Sequence, residues 1–265
     1  MGYKCTGQHF FESVTCRNGS YQVLAMTHGS LFSGIGGFDL AASWAGCQNV
    51  FQVEINEYCT QVLQKHFPHV KKYNDIQQFN GKKYRGTIDI LSGGFPCQPF
   101  SVAGKRKGKE DNRYLWPEML RVIKEVQPSW VLAENVYGLV TLKRGMVLET
   151  VCADLEGAGY EVQPYIIPAC AVGAVHKRER IWILAHANHN GLQRKLSENS
   201  RQTNGLSKAF SSHALCTDPK QLPTPYVTGG YDGIPKRMDR IKALGNAIVP
   251  QVAYEFFKVI KLVNA

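Results

Sequence analysis

The chain has 265 residues, of which 44% are hydrophobic and 20% charged, as expected for a globular protein with one substantial core and a small appendage. It has no apolar run that could span a bilayer and no signal peptide, so we expect a cytoplasmic protein without membrane contact. None of its eight cysteines forms a Cys-x-x-Cys pair, which argues against a zinc site, and we predict no metal.

The net charge of +10 is concentrated in the last third of the chain, where 14 Lys and Arg stand against 6 Asp and Glu from Lys177 onward. This excess predicts a polyanionic partner, most simply nucleic acid, with a merely solvated basic surface as the alternative. Charge alone does not separate DNA from RNA. The sequence leaves the oligomeric state open, and a monomer is compatible with it.

Residues 1 to about 25 show no clear periodicity and are interpreted as an extension, after which short apolar runs alternate with helical patterns. We predict strands at 29–33, 49–54, 71–74, 88–91, 130–133, 160–167 and 180–185, and helices at 38–44, 57–67, 111–126, 146–155 and 249–263. This alternation predicts an α/β fold with a doubly wound, mostly parallel sheet. From residue 186 to about 220 the composition is polar and aperiodic, which indicates a small irregular domain or a mobile insertion.

A glycine-rich turn joins the first predicted strand of this fold to its first helix. Gly34-Ile35-Gly36-Gly37 lets a ligand approach the backbone, and the helix that follows offers unpaired N–H groups. The third glycine of the dinucleotide fingerprint is missing, which argues against NAD. Glu54 ends the second predicted strand, where doubly wound folds place an acid on ribose hydroxyls, although a solvated carboxylate would look the same.

A second candidate site is the loop after the strand at 88–91, which contains Pro96-Cys97-Gln98-Pro99. Two prolines stiffen this loop beside a cysteine, and ligands of open α/β sheets bind at such strand ends. The alternative is a buried structural cysteine in a proline-rich turn. The basic run at 105–109 follows this loop and could contact phosphates or be solvated.

Five motifs in order resemble the DNA (cytosine-5) methyltransferase family. They are Phe32–Gly37, Gly94–Gln98, Glu134–Val136, Arg178–Arg180 and Gly245–Ala247. The resemblance implies a Rossmann-like S-adenosylmethionine-dependent methyltransferase fold that acts on double-stranded DNA. It also implies transfer of a methyl group to the 5-position of a cytosine that has been flipped out of the duplex.

The resemblance also implies a role for individual residues. Cys97 would be the covalent nucleophile, Glu134 would hold the cytosine ring nitrogen, and Arg178 and Arg180 would orient the base and the acidic groups. S-adenosylmethionine would be bound by Phe32, Gly34, Ile35, Gly36, Glu54, Asp75, Ile76, Leu115, Asn246 and Ala247.

The predicted domains are an extension at 1–25, a catalytic and cofactor-binding domain at 26–185, a short target-recognition region at 186–235, and a C-terminal helical segment at 236–265 that returns to the catalytic domain. The recognition region is short, and His176 stands where many members have glutamine. Compact chains of this kind resemble phage or prophage methyltransferases. Two alternatives stay open: an RNA cytosine-5 methyltransferase, and a cofactor- or DNA-binding remnant without turnover.

Overall fold

The computed structural model describes residues 25–96, 114–188 and 237–264, together with the backbone of 14–17 and 20–23. Cys97 and nearly all of the predicted target-recognition region lie outside the described residues. The strands are β1 Val14–Arg17, β2 Ser20–Val23, β3 Thr27–Leu31, β4 Gln48–Val53, β5 Lys71–Tyr73, β6 Ile90–Gly93, β7 Trp130–Val136, β8 Tyr160–Pro168 and β9 Glu179–Ala187. The α-helices are α1 Gly37–Trp44, α2 Glu57–His66, α3 Trp116–Val126, α4 Gly138–Thr141, α5 Met146–Glu156, α6 Arg237–Asn246 and α7 Pro250–Asn264.

Seven strands form one sheet in the order β5-β4-β3-β6-β7-β9-β8. The five strands from β5 to β7 are parallel, whereas β9 is antiparallel to both β7 and β8. This confirms the predicted α/β fold with a doubly wound, mostly parallel sheet. Strand order reverses between β3 and β6, since the chain first adds β4 and β5 on one side and then crosses to β6 on the other. Ligands of such sheets bind at this switch point, beyond the carboxyl ends of the strands.

Two layers of apolar side chains cover the two faces of the sheet, so the central parallel strands β3 and β6 are almost entirely buried. On one face α3 contributes Met119 and Ile123, both fully buried, to a cluster with β6 and β7. On the other face α1 packs against α7, where Phe256 and Phe257 are fully buried. The C-terminal helix α7 is therefore part of the hydrophobic core that covers this face of the sheet.

A buried histidine links three strands below the switch point. His28 on β3 is fully buried, and its ring nitrogens hydrogen-bond the Asn49 side chain at 2.6 Å and the Ser92 hydroxyl at 2.7 Å. Burial lowers the pKa of His28 to about 4, so the ring is neutral at physiological pH. The neutral ring can donate through one nitrogen and accept through the other, which satisfies both contacts inside the sheet.

Several predicted boundaries were wrong, each for a local reason. Strand β7 continues through Glu134-Asn135-Val136, which had been placed after the strand, because these residues pair with β9. Helix α3 begins at Trp116 and not at residue 111, with Pro117 in its first turn, where a missing N–H costs nothing. Residues 237–246 were interpreted as a motif leading into the last helix and form a helix of their own. The hairpin β1–β2 lies within the stretch interpreted as an extension without clear periodicity.

Among the residues described, no helix is long and apolar enough to cross a membrane. The same part of the chain contains no group of three or more His, Cys, Asp or Glu side chains arranged to hold a metal ion.

Candidate active site

The carboxyl ends of the parallel strands bring most of the predicted site residues to one edge of the sheet. Phe32 to Ile35 follow β3, Glu54 follows β4, and Asp75 follows β5. On the other side of the switch point, Gly94 follows β6, and Glu134 lies near the end of β7. The sheet order therefore places the glycine turn between the acidic residues after β4 and β5 and the predicted catalytic motifs after β6 and in β7.

The glycine turn after β3 has a backbone that few other sequences would adopt. Gly34 and Gly36 have φ angles of 55° and 87°, in the left-handed region that favours glycine. A Cβ on Gly34 would meet no atom within 4 Å, so the backbone there faces open space. A Cβ on Gly37 would instead lie 2.6 Å from Ile248. The turn is thus open above Gly34 and closely packed where α1 begins.

Glu54 holds this turn in place. One carboxylate oxygen accepts a hydrogen bond from the Gly34 N–H at 2.7 Å, and the other accepts one from the Asn56 N–H at 2.7 Å. Each carboxylate oxygen has two lone pairs, so these bonds leave room for ribose hydroxyls. The predicted ribose-binding residue is therefore also an anchor of the glycine turn, a role that its place in the sequence did not indicate.

The three other predicted cofactor residues stand away from the glycine turn. Asp75 is half-buried, and its carboxylate accepts a hydrogen bond from the Gln77 N–H at 2.9 Å. Ile76 is 4% exposed and packs in the core, while its carbonyl accepts a bond from Arg121. Leu115 caps the N-terminus of α3. Contacts of these residues with adenine remain predictions.

Glu134 is the buried acid of the site. Its residue is 8% exposed, and its carboxylate forms an ion pair with Arg180, with 3.1 Å between Oε1 and Nε. Burial raises the pKa of Glu134 to about 7, against the opposing effect of the positive charges of Arg180 and Arg178. The other carboxylate oxygen faces Gly94, where a Cβ would stand only 3.4 Å away. Near neutral pH this acid can both donate and accept a proton, as general acid–base chemistry requires.

Strand β7 also fixes the start of the loop that leads to Cys97. The Asn135 side chain is buried and donates a hydrogen bond from Nδ2 to the Phe95 carbonyl at 2.9 Å. The Phe95 ring is itself buried against Trp116, with 5.0 Å between ring centroids. The loop is therefore held in place two residues before the predicted nucleophile, whose own position lies outside the described residues.

Arg178 makes contacts that its predicted role did not include. One guanidinium nitrogen, Nη2, donates to the Gly245 carbonyl at 2.8 Å and to the Ala247 carbonyl at 2.6 Å. These carbonyls lie at the end of α6 and in the link to α7. Arg180 binds the acid and Arg178 binds the C-terminal segment, so the two arginines face different parts of the site.

A cleft opens between the glycine turn, Glu134 and the link from α6 to α7. It is lined by Phe32, Ser33, Gly34, Ile35, Gly37, Phe38, Gly94, Glu134, Asn246, Ala247 and Ile248. Residues from the first, second, third and fifth motifs thus meet around one cavity. Ile248 was missed because it is an ordinary apolar residue beside a motif, and its only signal is that it directly follows Asn246-Ala247.

The lining fits S-adenosylmethionine better than a phosphate-bearing cofactor. Among the described residues that line the cleft there is no Lys or Arg. Apolar and small side chains dominate, beside one acid and an open glycine backbone. A cationic sulfonium group and a nucleoside need no phosphate cradle, whereas a dinucleotide does.

Comparison with known proteins identifies the family of the chain. The family model for C-5 cytosine-specific DNA methylases matches residues 26–214. The chain belongs to this family. The match begins one residue before β3 and spans the sheet with the four motifs up to Arg180.

Members of the family are similar to the chain over part of their length. Type II methyltransferase M.Eco47II of Escherichia coli is 39% identical over 67% of this chain and 42% of its own length. Type II methyltransferase M.HhaI of Haemophilus parahaemolyticus is 36% identical over 62% of this chain and 50% of its own. A solved protein assigned as a DNA modification methyltransferase of an E. coli prophage has a TM-score of 0.53 and 28% identity, and the match covers 62% of this chain and 47% of that one. The chain thus spans about half the length of these C-5 methylases.

Proposed function

We propose that this C-5 methylase transfers a methyl group from S-adenosylmethionine to the 5-position of cytosine in double-stranded DNA. The observation that carries the proposal is the position of Glu134, a buried acid that is paired with Arg180 and lines the same cleft as the glycine turn. A carboxyl with a pKa of about 7 beside an open cleft suits proton transfer to a bound base.

The cofactor would lie in the cleft against Phe32, Gly34 and Ile35, with Asn246 and Ala247 on the opposite wall. Glu54 would accept hydrogen bonds from the ribose with the lone pairs that the turn leaves free. Gly36, Asp75, Ile76 and Leu115 complete the proposed cofactor residues. When bound, S-adenosylmethionine supplies an electrophilic methyl group on a sulfonium sulfur.

The protein's task is to make the 5-position of cytosine nucleophilic. The Cys97 thiolate adds to carbon 6 and forms a C–S bond, while Glu134 shares or donates its proton to the ring nitrogen that gains electron density. Once carbon 5 carries the methyl group, a base such as water would take the proton from carbon 5, and the double bond between carbons 5 and 6 would re-form as the C–S bond breaks. The electron pair of that bond would return to Cys97 as thiolate, and the proton on the ring nitrogen would return to Glu134. Arg180 keeps the Glu134 carboxyl oriented throughout.

The target cytosine must leave the duplex to reach these groups, because its carbon 6 is inaccessible within the stack. The basic last third of the chain, with a net charge of +8 from Lys177, supports binding of the DNA backbone. Residues 186–235 remain the proposed target-recognition region.

Methyl transfer from tritiated S-adenosylmethionine tests the proposal, with duplex DNA and transfer RNA as separate substrates. We expect label in the DNA and none after Cys97→Ser, because a hydroxyl of ordinary pKa does not add to carbon 6. Cys152→Ser removes a cysteine on α5, away from the cleft, and serves as the matched control.

The alternatives give different results in the same assay. Label found only in RNA would show that RNA and not DNA is the substrate. If the folded protein binds the cofactor but transfers no methyl group, it is a binding protein without turnover. Robust transfer by Cys97→Ser would remove the covalent mechanism. Bisulfite sequencing of DNA from expressing cells would identify the target sequence.

A further inference from the structure

Arg178 lies at a junction between the sheet and the wall of the cleft. It directly precedes β9, whose Arg180 is paired with Val136 on β7 and with Ile167 on β8. Its φ of 33° is unusual for a non-glycine residue, so surrounding contacts must maintain it. The guanidinium therefore extends from a fixed point on the sheet.

The two carbonyls that Arg178 binds are on either side of Asn246. Gly245 belongs to the last turn of α6, whose terminal carbonyls have no partner within the helix and attract a positive charge. Ala247 begins the link to α7 and lines the cleft together with Asn246. One nitrogen thus fixes the backbone on both sides of a cleft-lining residue.

The link has a second point of attachment, on the opposite side of the cleft. Ile248 packs so closely against α1 that a Cβ on Gly37 would overlap it. Arg178 and the glycine turn therefore hold the segment 245–248 from two directions. Without the guanidinium, the segment would keep the packing of Ile248 against Gly37 and the hydrogen bond from the Ala247 N–H to the Ala243 carbonyl, but would lose both contacts that tie it to the sheet.

We propose that Arg178 is a positioning residue for the cofactor, which fixes Asn246 and Ala247 as the wall of the cleft before DNA binds. Arg180 differs from it, because its side chain contacts the catalytic acid and makes no described contact with the C-terminal segment. The proposal rests on the proposed function in one respect, namely that the cleft binds S-adenosylmethionine.

Calorimetric titration with S-adenosylhomocysteine, in the absence of DNA, tests this assignment. Arg178→Met keeps the length of the side chain and removes the donors. The matched control is Arg85→Met, because Arg85 also donates to two backbone carbonyls, those of Glu125 and Lys124, and does not line the cleft. We expect the dissociation constant to rise at least tenfold in Arg178→Met and to stay within twofold of the wild-type value in Arg85→Met. Arg178→Lys keeps a charge and one set of donors and should lie between Arg178→Met and the wild type.

Amide hydrogen exchange supplies a second readout. In Arg178→Met the amides of 246–249 should exchange faster, while those of β7 and β9 keep wild-type rates. If Arg178→Met binds S-adenosylhomocysteine as tightly as the wild type does, the proposal is overturned. A lower affinity of the same variant for duplex DNA would then assign Arg178 to DNA binding. If Arg178→Met does not fold, the Lys variant decides, and an unchanged dissociation constant there overturns it.

These results separate the two proposals. Because the titration measures binding independently of methyl transfer, a wild-type protein that binds the ligand but transfers no methyl group in the tritium assay would refute the proposed function alone. If the protein methylates DNA, and Arg178→Met and Arg178→Lys bind the ligand as the wild type does, only the role of Arg178 is refuted.

Discussion

The raised pKa of Glu134 should make the protein less stable as the pH rises, and Glu134→Gln should remove that dependence. A carboxyl whose pKa is higher in the folded than in the unfolded state binds its proton more tightly when folded. Its contribution is fully present below the unfolded pKa, near 4.5, and is lost as the pH rises through the folded pKa of about 7. Glutamine resembles the protonated acid at every pH.

The size of the effect follows from the shift in pKa. From 4.5 to about 7, and at about 1.4 kcal/mol per unit, the carboxylate costs about 3 kcal/mol at pH values well above 7. This is an upper bound, because water entering the cleft would weaken the desolvation of the carboxylate. It is nonetheless a large fraction of the 5–15 kcal/mol that is roughly typical of whole proteins.

Urea denaturation at several pH values between 5 and 8.5 measures this difference. The free energy of unfolding of Glu134→Gln minus that of the wild type should increase by about 2 kcal/mol across the range. Glu149→Gln, at an exposed position on α5, should give a curve parallel to the wild type. If the free energy of unfolding of Glu134→Gln also runs parallel to that of the wild type across the pH range, burial does not raise the pKa of this acid.

Two further predictions concern the contacts that shape the cleft. Asn135→Ala leaves the Phe95 carbonyl without its partner and should lower the free energy of unfolding by about 1–3 kcal/mol in urea titrations, whereas an unchanged value would mean that water replaces the amide. Gly37→Ala places a methyl group 2.6 Å from the Ile248 side chain and should lower the free energy of unfolding by about 1–3 kcal/mol. It should also raise the dissociation constant of the cofactor measured by calorimetry. The double variant with Ile248→Ala should recover most of the affinity, and equal losses in single and double variants would contradict the overlap.

Local patterns were enough to predict most of the fold. Apolar runs and helical periods located every strand of the main sheet. The runs in β6 and β7 are the clearest because these strands lie inside the sheet and are buried on both faces, whereas the edge strand β5 is Lys71-Lys72-Tyr73 and has a weak pattern. The predicted ends of helices and strands were wrong where pairing with a neighbouring strand or the residues of a turn determine them. Strand β7 is longer than its apolar run because β9 pairs with Glu134 through Val136, and a single-strand pattern contains no information about its neighbour.

The candidate site likewise has features that the sequence predicts and features that only the folded structure shows. The sequence alone determined that a glycine turn follows the first strand of the main sheet and that an acid, an arginine pair and a cysteine follow in family order, because these motifs are local and chemically specific. Only the tertiary structure decided that Glu134 is buried, that Asn135 holds Phe95, and that Arg178 binds carbonyls 67 and 69 residues away. Burial and long-range hydrogen bonds depend on how the sheet brings distant segments together, and those distances in space are not written in the spacing of the chain.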